Sequence, residues 1–152
     1  MSENFLKVQP IRNGTVIDHI KPSRGRKILE VLGLSGSGTT ISLLMNVPSK
    51  KRDRKDIIKV EDRELSENET EKLALLSPNA RVNIIRNYAV AEKKKIEIPK
   101  VISGTVHCPN DNCISNNERG SSTHFKLLDH ESLRIQCIYC GRKIDEDNIE
   151  FI

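Results

Sequence analysis

Cys108-Pro109-Asn110-Asp111-Asn112-Cys113, answered further along by Cys137-Ile138-Tyr139-Cys140-Gly141, contains every cysteine of the sequence. Four residues separate the first pair, two separate the second, and twenty-three lie between the pairs. Two close thiolate pairs joined by a loop can close a tetrahedron around a zinc ion, with Zn–S near 2.3 Å. Gly141, just after the second pair, can take a positive φ, which lets backbone N–H groups turn toward the sulfurs. His107 and His124 lie nearby, but four thiolates already fill the site. Four protein ligands leave no open position for water, so the zinc is read as structural. The search for function then moves to the rest of the chain.

The totals point the same way. The chain has 152 residues, 36% of them hydrophobic and 3% aromatic, with no Trp. One large core built from so little aromatic bulk would be lean. Two modest cores, one held by a metal, fit better, because a domain of about 50 residues usually needs such a staple. No apolar run approaches the roughly 20 residues needed to span a bilayer. The start Met1-Ser2-Glu3-Asn4 has neither a basic beginning nor an apolar stretch, so no secretory signal is expected. A reducing, cytoplasmic compartment follows as the expectation, where paired cysteines bind metal rather than each other.

The net charge of +4 hides an asymmetry. Residues 1–100 carry +7 and residues 101–152 carry −3. The basic part is the better candidate for an anionic ligand, and the acidic cysteine part is a poor one for a phosphate backbone.

Periodicity supplies the elements. Residues 5–11 alternate as a strand, Asn13-Gly14 reads as a hairpin turn, and Thr15 to Asp18 return. Ser23 is a candidate N-cap for a helix whose stripe is Ile28, Leu29, Val31 and Leu32, stopped by Gly33. Residues 39–47 and 57–61 read as strands on either side of a basic loop at 49–55. Ser66 and Glu69 form a capping box for a second helix that buries Leu73, Leu75 and Leu76 before Pro78. Strands are expected at 81–86, 88–91 and 95–98. This order predicts an α+β chain with a ferredoxin-like antiparallel sheet over 1–100 and both helices on one face. A small all-β zinc ribbon of rubredoxin-like character follows over 101–152. Short strands are expected there at 123–127 and 133–137.

Several features invite a function. The cluster Gly33-Leu34-Ser35-Gly36-Ser37-Gly38-Thr39 lacks the Gly-Lys ending of a phosphate loop and lies between a helix and a strand, so it reads as a flexible connection. The basic loop at 50–55 reads as a solvated charge run. It would serve a nucleic-acid binder only with exposed aromatics for stacking, and the few present show no pattern. Asp18-His19, coupled with Lys55, Lys59 and Lys93 on neighbouring strands and loops, is more informative. A carboxylate can bind ribose hydroxyls, while lysines and an imidazolium can bind phosphates. No catalytic constellation and no free thiol nucleophile is present.

Motifs in order along the chain resemble a known family. They are Gly14-Thr15-Val16-Ile17-Asp18-His19-Ile20, Asn46-Val47-Pro48-Ser49 and Arg54-Lys55-Asp56-Ile57-Ile58-Lys59-Val60-Glu61. Leu73-Ala74-Leu75-Leu76-Ser77-Pro78, Asn83-Ile84-Ile85-Arg86-Asn87-Tyr88 and the two cysteine segments continue the series. Together they resemble the regulatory chain of aspartate carbamoyltransferase. The resemblance implies a non-catalytic subunit of pyrimidine biosynthesis that dimerises through its N-terminal domain. Three such dimers would join two catalytic trimers. It further implies an allosteric domain binding CTP and UTP as inhibitors or ATP as activator, and a zinc domain, held by Cys108, Cys113, Cys137 and Cys140, that contacts the catalytic chain.

By position, the resemblance implies base contacts from Val8, Gln9 and Ile11, and from Tyr88 and Val90 through backbone groups. Asp18 and Lys59 would hold ribose or base atoms. His19, Lys93, Asn83 and Lys55 would meet the triphosphate. Neither nucleic acid nor a membrane is expected as a partner. The competing reading is a zinc-ribbon nucleic-acid-binding protein, whose affinity would fall steeply with salt.

Overall fold

The computed structural model describes residues 10–49 and 54–152. It divides into two compact units, Met1–Ser66 with Asn79–Ile96, and Glu67–Pro78 with Glu97–Ile152. The class is α+β with antiparallel sheets and few helices.

The first unit is built on β1 (Gly14–Ile20), α1 (Gly25–Val31), β2 (Ile41–Pro48), β3 (Arg54–Glu61), β4 (Arg81–Arg86) and β5 (Ala89–Lys95). The strands form one sheet in the order β2-β3-β1-β4-β5, every neighbouring pair antiparallel. The first four strands of that order reproduce the split β-α-β arrangement of a ferredoxin-like fold, and β5 is added by a hairpin from β4. Alternation decides the faces. Ile17, Ile58, Val82 and Ile84 are buried, while Asp18, Lys59 and Asn83 on the other face are only partly covered. Ile28 of α1 adds to a core in which every fully buried large side chain of this unit is aliphatic.

Two irregularities flank β3. On β1 the register slips between Ile17 and Ile20, and His19 has φ 55°; on β2 it slips between Leu44 and Val47, and Asn46 has φ 58°. Each is a bulge that re-aims the side chains beside it. Asp56, fully buried on β3, serves both neighbours. Its Oδ2 accepts the Gly25 N–H at 2.9 Å at the start of α1, and its Oδ1 accepts the Asn46 N–H at 2.9 Å. The cap of α1 therefore comes from a residue 31 positions away. Ser23 is not the cap; it has φ 70°, and Arg24 occupies the N-cap position with no side-chain bond.

Other local expectations shift. Where strands were expected at 88–91 and 95–98, one continuous strand, β5, runs through Ala89–Lys95. Asn87 and Tyr88, at φ 53° and 65°, make the tight turn before it. Asn13-Gly14 is not a hairpin turn, since Gly14 already opens β1. A Cβ there would lie 2.0 Å from the Val60 carbonyl oxygen, so the close approach of β3 requires glycine. The strand expected at 5–11 lies largely outside the described residues, and Pro10 and Ile11 are not in a strand. Most of the basic loop at 50–55 lies outside them too.

The second unit contains α2 (Glu67–Leu76), β6 (Val101–Ser103), β7 (Val106–His107), α3 (Ile114–Asn117), β8 (His124–Asp129), β9 (Arg134–Cys137), β10 (Lys143–Asp145) and β11 (Glu150–Phe151). The sequence reading groups α2 with residues 1–100, whereas the compact partition carries it with the C-terminal residues. β10-β9-β8-β6 form one sheet, and β11 pairs with β7 in a second. Phe125 is fully buried between Ile102 and Cys137 of the adjacent strands, with Leu133, Ile135 and Ile144 completing the core.

Candidate functional site

The four sulfurs converge. Cys108 and Cys113 come from the segment between β7 and α3, Cys137 from the end of β9, and Cys140 from the turn that follows. All four Sγ atoms lie within 4.8 Å of one another. Cys108 Sγ to Cys140 Sγ and Cys113 Sγ to Cys137 Sγ are each 3.7 Å and join one knuckle to the other. A disulfide would need about 2.05 Å. A tetrahedron with Zn–S of about 2.3 Å has edges of about 3.8 Å. The donor set and its spacing fit zinc. Neither histidine joins the cluster. The Nδ1 of His124 is 2.8 Å from Ser103 Oγ, and its ring meets Tyr139 edge-on at 5.7 Å.

Backbone hydrogen bonds reach the sulfurs, from Asn110 to Cys108, from Tyr139 and Cys140 to Cys137, and from Arg142 to Cys140. Gly141, at φ 79°, completes the second knuckle. In the metal-free chain, burial pushes the Cys108 thiol up to about 12 and also raises Cys137. Burial raises Cys140 as well, but hydrogen bonds from the Arg142 backbone, Asn110 and the neighbouring thiols outweigh it and bring Cys140 down to about 7.

Sequence reasoning missed the amides that shape the first knuckle. Asn116 Nδ2 donates to the carbonyls of Cys108 and Asn110, both at 2.8 Å. Asn117 Nδ2 donates to the carbonyls of Asp111 and Cys113 at 2.7 and 2.8 Å. Ser115 Oγ donates to Cys113 Sγ at 3.2 Å. The adjacent polar side chains just after Cys113 were the available signal, since Asn in a short turn satisfies backbone carbonyls.

A second site lies on the first unit. A cleft of about 360 Å³ is lined by Asp18 and His19 of β1, Arg81, Val82 and Asn83 of β4, and Lys93 to Lys95 of β5. Register explains the grouping. Lys59, Val16, Asn83 and Lys93 are successive cross-strand partners on the open face, and Asp18, Arg81 and Lys95 form the next row. The bulge on β1 turns His19 toward this end, and its backbone N–H bonds Asp18 Oδ1 at 2.7 Å. Lys55 Nζ lies 3.0 Å from Asp18 Oδ1.

The structure thus gathers Asp18, His19, Asn83 and Lys93 in one cleft, puts Lys55 against Asp18, and puts Lys59 in the Asn83 row. Arg81, Lys94 and Lys95 also line it and were not singled out from sequence. Ile11, Tyr88 and Val90 lie toward the opposite end of the same strands. Val90 pairs with Ile85 on the open face, and the Tyr88 N–H bonds the Arg12 carbonyl at 2.9 Å next to buried Ile11. From Arg81 to Ile85 along β4 is about 13 Å at strand rise. The open face therefore runs from a cationic end to an apolar end. Val8 and Gln9 lie outside the described residues.

The family model described as aspartate carbamoyltransferase regulatory chain, allosteric domain, matches residues 6–97. The one described as the metal binding domain of that chain matches residues 100–150. The chain is 51% identical over 146 residues to the aspartate carbamoyltransferase regulatory chain of Pyrococcus horikoshii, covering 95% of each. It is 46% identical over 153 residues to that of Methanothrix thermoacetophila, covering 100% of this chain and 99% of the relative. To that of Saccharolobus solfataricus it is 46% identical over 145 residues, covering 95% and 91%.

Proposed function

The chain belongs to the family of aspartate carbamoyltransferase regulatory chains, and from that premise we propose that it binds nucleoside triphosphates in its basic unit and passes the signal to catalytic chains. The family makes it a non-catalytic subunit with an allosteric and a metal-binding domain. The observation that carries the nucleotide reading is the graded open face of the sheet. Phosphates would lie at His19, Asn83 and Lys93, the ribose beside Asp18 and Lys59, and the base toward Ile11, Tyr88 and Val90. CTP and UTP act in this reading as inhibitors and ATP as activator.

The working partition is residues 1–100 for the nucleotide and 101–152 for zinc. Zinc in the four-thiolate site keeps the second domain folded and performs no chemistry. Metal-binding energy in such modules is folding energy. Exposed Ile114, Ile138 and Tyr139, beside the knuckles, would offer that domain's contact to the catalytic chain. The N-terminal domain would pair with a second copy, three such dimers joining two catalytic trimers in the cytoplasm. Separate, unbridged thiols suit that reducing compartment.

The mechanism is a coupling free energy between two sites, typically about 1–3 kcal/mol. Each nucleotide must bind the two quaternary states unequally, or it shifts nothing. The test is reconstitution of the zinc-loaded chain with its catalytic trimers, followed by aspartate saturation curves with and without CTP, UTP and ATP. Displaced curves support the reading. Superimposable curves with saturating nucleotide overturn the allosteric assignment.

A further inference from the structure

The four thiolates of the zinc site are unequally guarded. Cys108, Cys113 and Cys137 keep 0%, 1% and 1% of their surface exposed, whereas Cys140 is exposed. The support around them is unequal in the same sense. Asn116 and Asn117 tie down the carbonyls of Cys108, Asn110, Asp111 and Cys113, and Ser115 Oγ donates to Cys113 Sγ. The second knuckle is a backbone turn to which Gln136 Nε2 donates at the Gly141 carbonyl, 3.0 Å away. Ile138 and Tyr139, between its two cysteines, face solvent as well. Behind the exposed sulfur stands a buried one, since Cys108 Sγ lies 3.7 Å from Cys140 Sγ. Cys113 and Cys137 are as close to each other, but both are buried. An accessible sulfur with a second one poised beside it is the arrangement by which thiols respond to oxidants.

We propose that Cys140 is the reactive thiolate of this site and Cys108 its resolving partner, so that a small-molecule disulfide expels the zinc and leaves a Cys108–Cys140 disulfide. Cys140 Sγ attacks one sulfur of the small disulfide; a new S–S bond forms and the other half leaves as a thiolate. The modified sulfur is no longer a thiolate ligand, and the metal is left with three. Cys108 Sγ then attacks the Cys140 sulfur, closing from 3.7 Å to about 2.05 Å, and the second half leaves. Two protein thiolates are oxidised, the small disulfide is reduced to two thiols, and the leaving sulfurs take their protons from water. Loss of the metal opens the domain, because its binding energy is folding energy. The switch belongs to the chain before it joins catalytic chains, since Ile138 and Tyr139 flank the exposed thiolate. This inference rests on the zinc reading above and adds to it the route by which the metal is lost.

The experiment treats the zinc-loaded full chain with glutathione disulfide. A chromophoric chelator follows zinc release, and peptide mapping by mass spectrometry follows each cysteine in samples quenched with time. The mixed disulfide should appear first at Cys140, then give way to the Cys108–Cys140 disulfide as zinc is released. Dithiothreitol with added zinc should restore the folded domain. Gln136→Ala leaves all four ligands in place and removes the bond to the Gly141 carbonyl. It should speed disulfide-driven zinc release about tenfold, the low end for lost outer-shell support. First modification at any other cysteine, a Cys113–Cys137 product, or zinc retained under excess glutathione disulfide overturns the proposal and leaves the zinc site standing. A full chain that takes up no zinc at all overturns the zinc reading itself.

Discussion

Lys55 Nζ sits 3.0 Å from Asp18 Oδ1 and 3.3 Å from Oδ2, joining β3 to β1 beside the bulge that orients His19. Both side chains are mostly covered, with 16% and 26% of their surface exposed. The lysine thereby neutralises the cleft's carboxylate. Removing it leaves Asp18 facing an incoming anion. Lys55→Ala should weaken CTP binding roughly tenfold, the order expected for an uncompensated charge at a partly covered site. Adding Asp18→Asn to Lys55→Ala should recover part of that loss. A double-mutant cycle by calorimetry measures the coupling. Additive losses would show that Lys55 acts on the ligand directly.

Removing zinc should separate the two halves in behaviour. Stripping the chain with a chelator should unfold the C-terminal domain and abolish association with catalytic trimers, because unfolded thiols retain no preformed site. Nucleotide binding by the first unit should persist. Sedimentation with catalytic trimers and calorimetry with CTP, before and after zinc is restored, read the two outcomes independently.

The thiols set a pH dependence. In the metal-free chain Cys108 holds its proton to about 12, so zinc must displace that proton throughout the neutral range. Cys140 titrates near 7, so below that pH a further proton must leave. Zinc affinity should therefore rise with pH, more steeply by about one proton below pH 7 than above it, since only thiolates ligate. Competition with a chromophoric chelator from pH 5.5 to 8.5 gives the slope. A pH-independent affinity would contradict the four-thiolate site.

Asn116→Ala should leave all four ligands present and still loosen the site. It removes both hydrogen bonds to the carbonyls of Cys108 and Asn110, which hold the first knuckle closed. Loss of outer-shell support typically lowers metal affinity 10–100-fold, and that range is expected here. Cobalt-substituted samples should keep a four-sulfur spectrum while releasing metal faster.

Asp56→Ala should destabilise the first unit by about 2–4 kcal/mol, because it orphans the Gly25 and Asn46 N–H groups together. Asp56→Asn should cost less, as its amide retains one acceptor. Urea denaturation of both variants tests the order. Gly25→Ala should also destabilise, since its Cβ would come within 2.7 Å of Leu43 and 3.0 Å of Asp56.

What the sequence determined by itself was local. Metal ligands within a knuckle must be near neighbours, so the spacing of Cys108/Cys113 and Cys137/Cys140 is written in the chain. Helical stripes such as Ile28 to Leu32 and strand alternation along 81–86 repeat at short periods and are equally readable. Asp18, His19, Lys55, Lys59 and Lys93 stand out by their chemistry and Asn83 through the family resemblance alone, but no local pattern says that they share a face.

That was left to register. The pairing of Val16 with Lys59 and Asn83, and of Asn83 with Lys93, places residues far apart in sequence in one row. Arg81 and Lys95 went unnoticed because each is an ordinary surface cation until β4 and β5 set them opposite one another. The cap expected for α1 failed for a related reason. Ser23 looked like a helix start by proximity, whereas the bond came from Asp56, 31 residues away, across the sheet. Backbone groups at a helix end need a partner but do not specify where in the chain it lies. Side-chain chemistry and period are local properties, while register, bulges and long-range capping are fixed only when the strands meet.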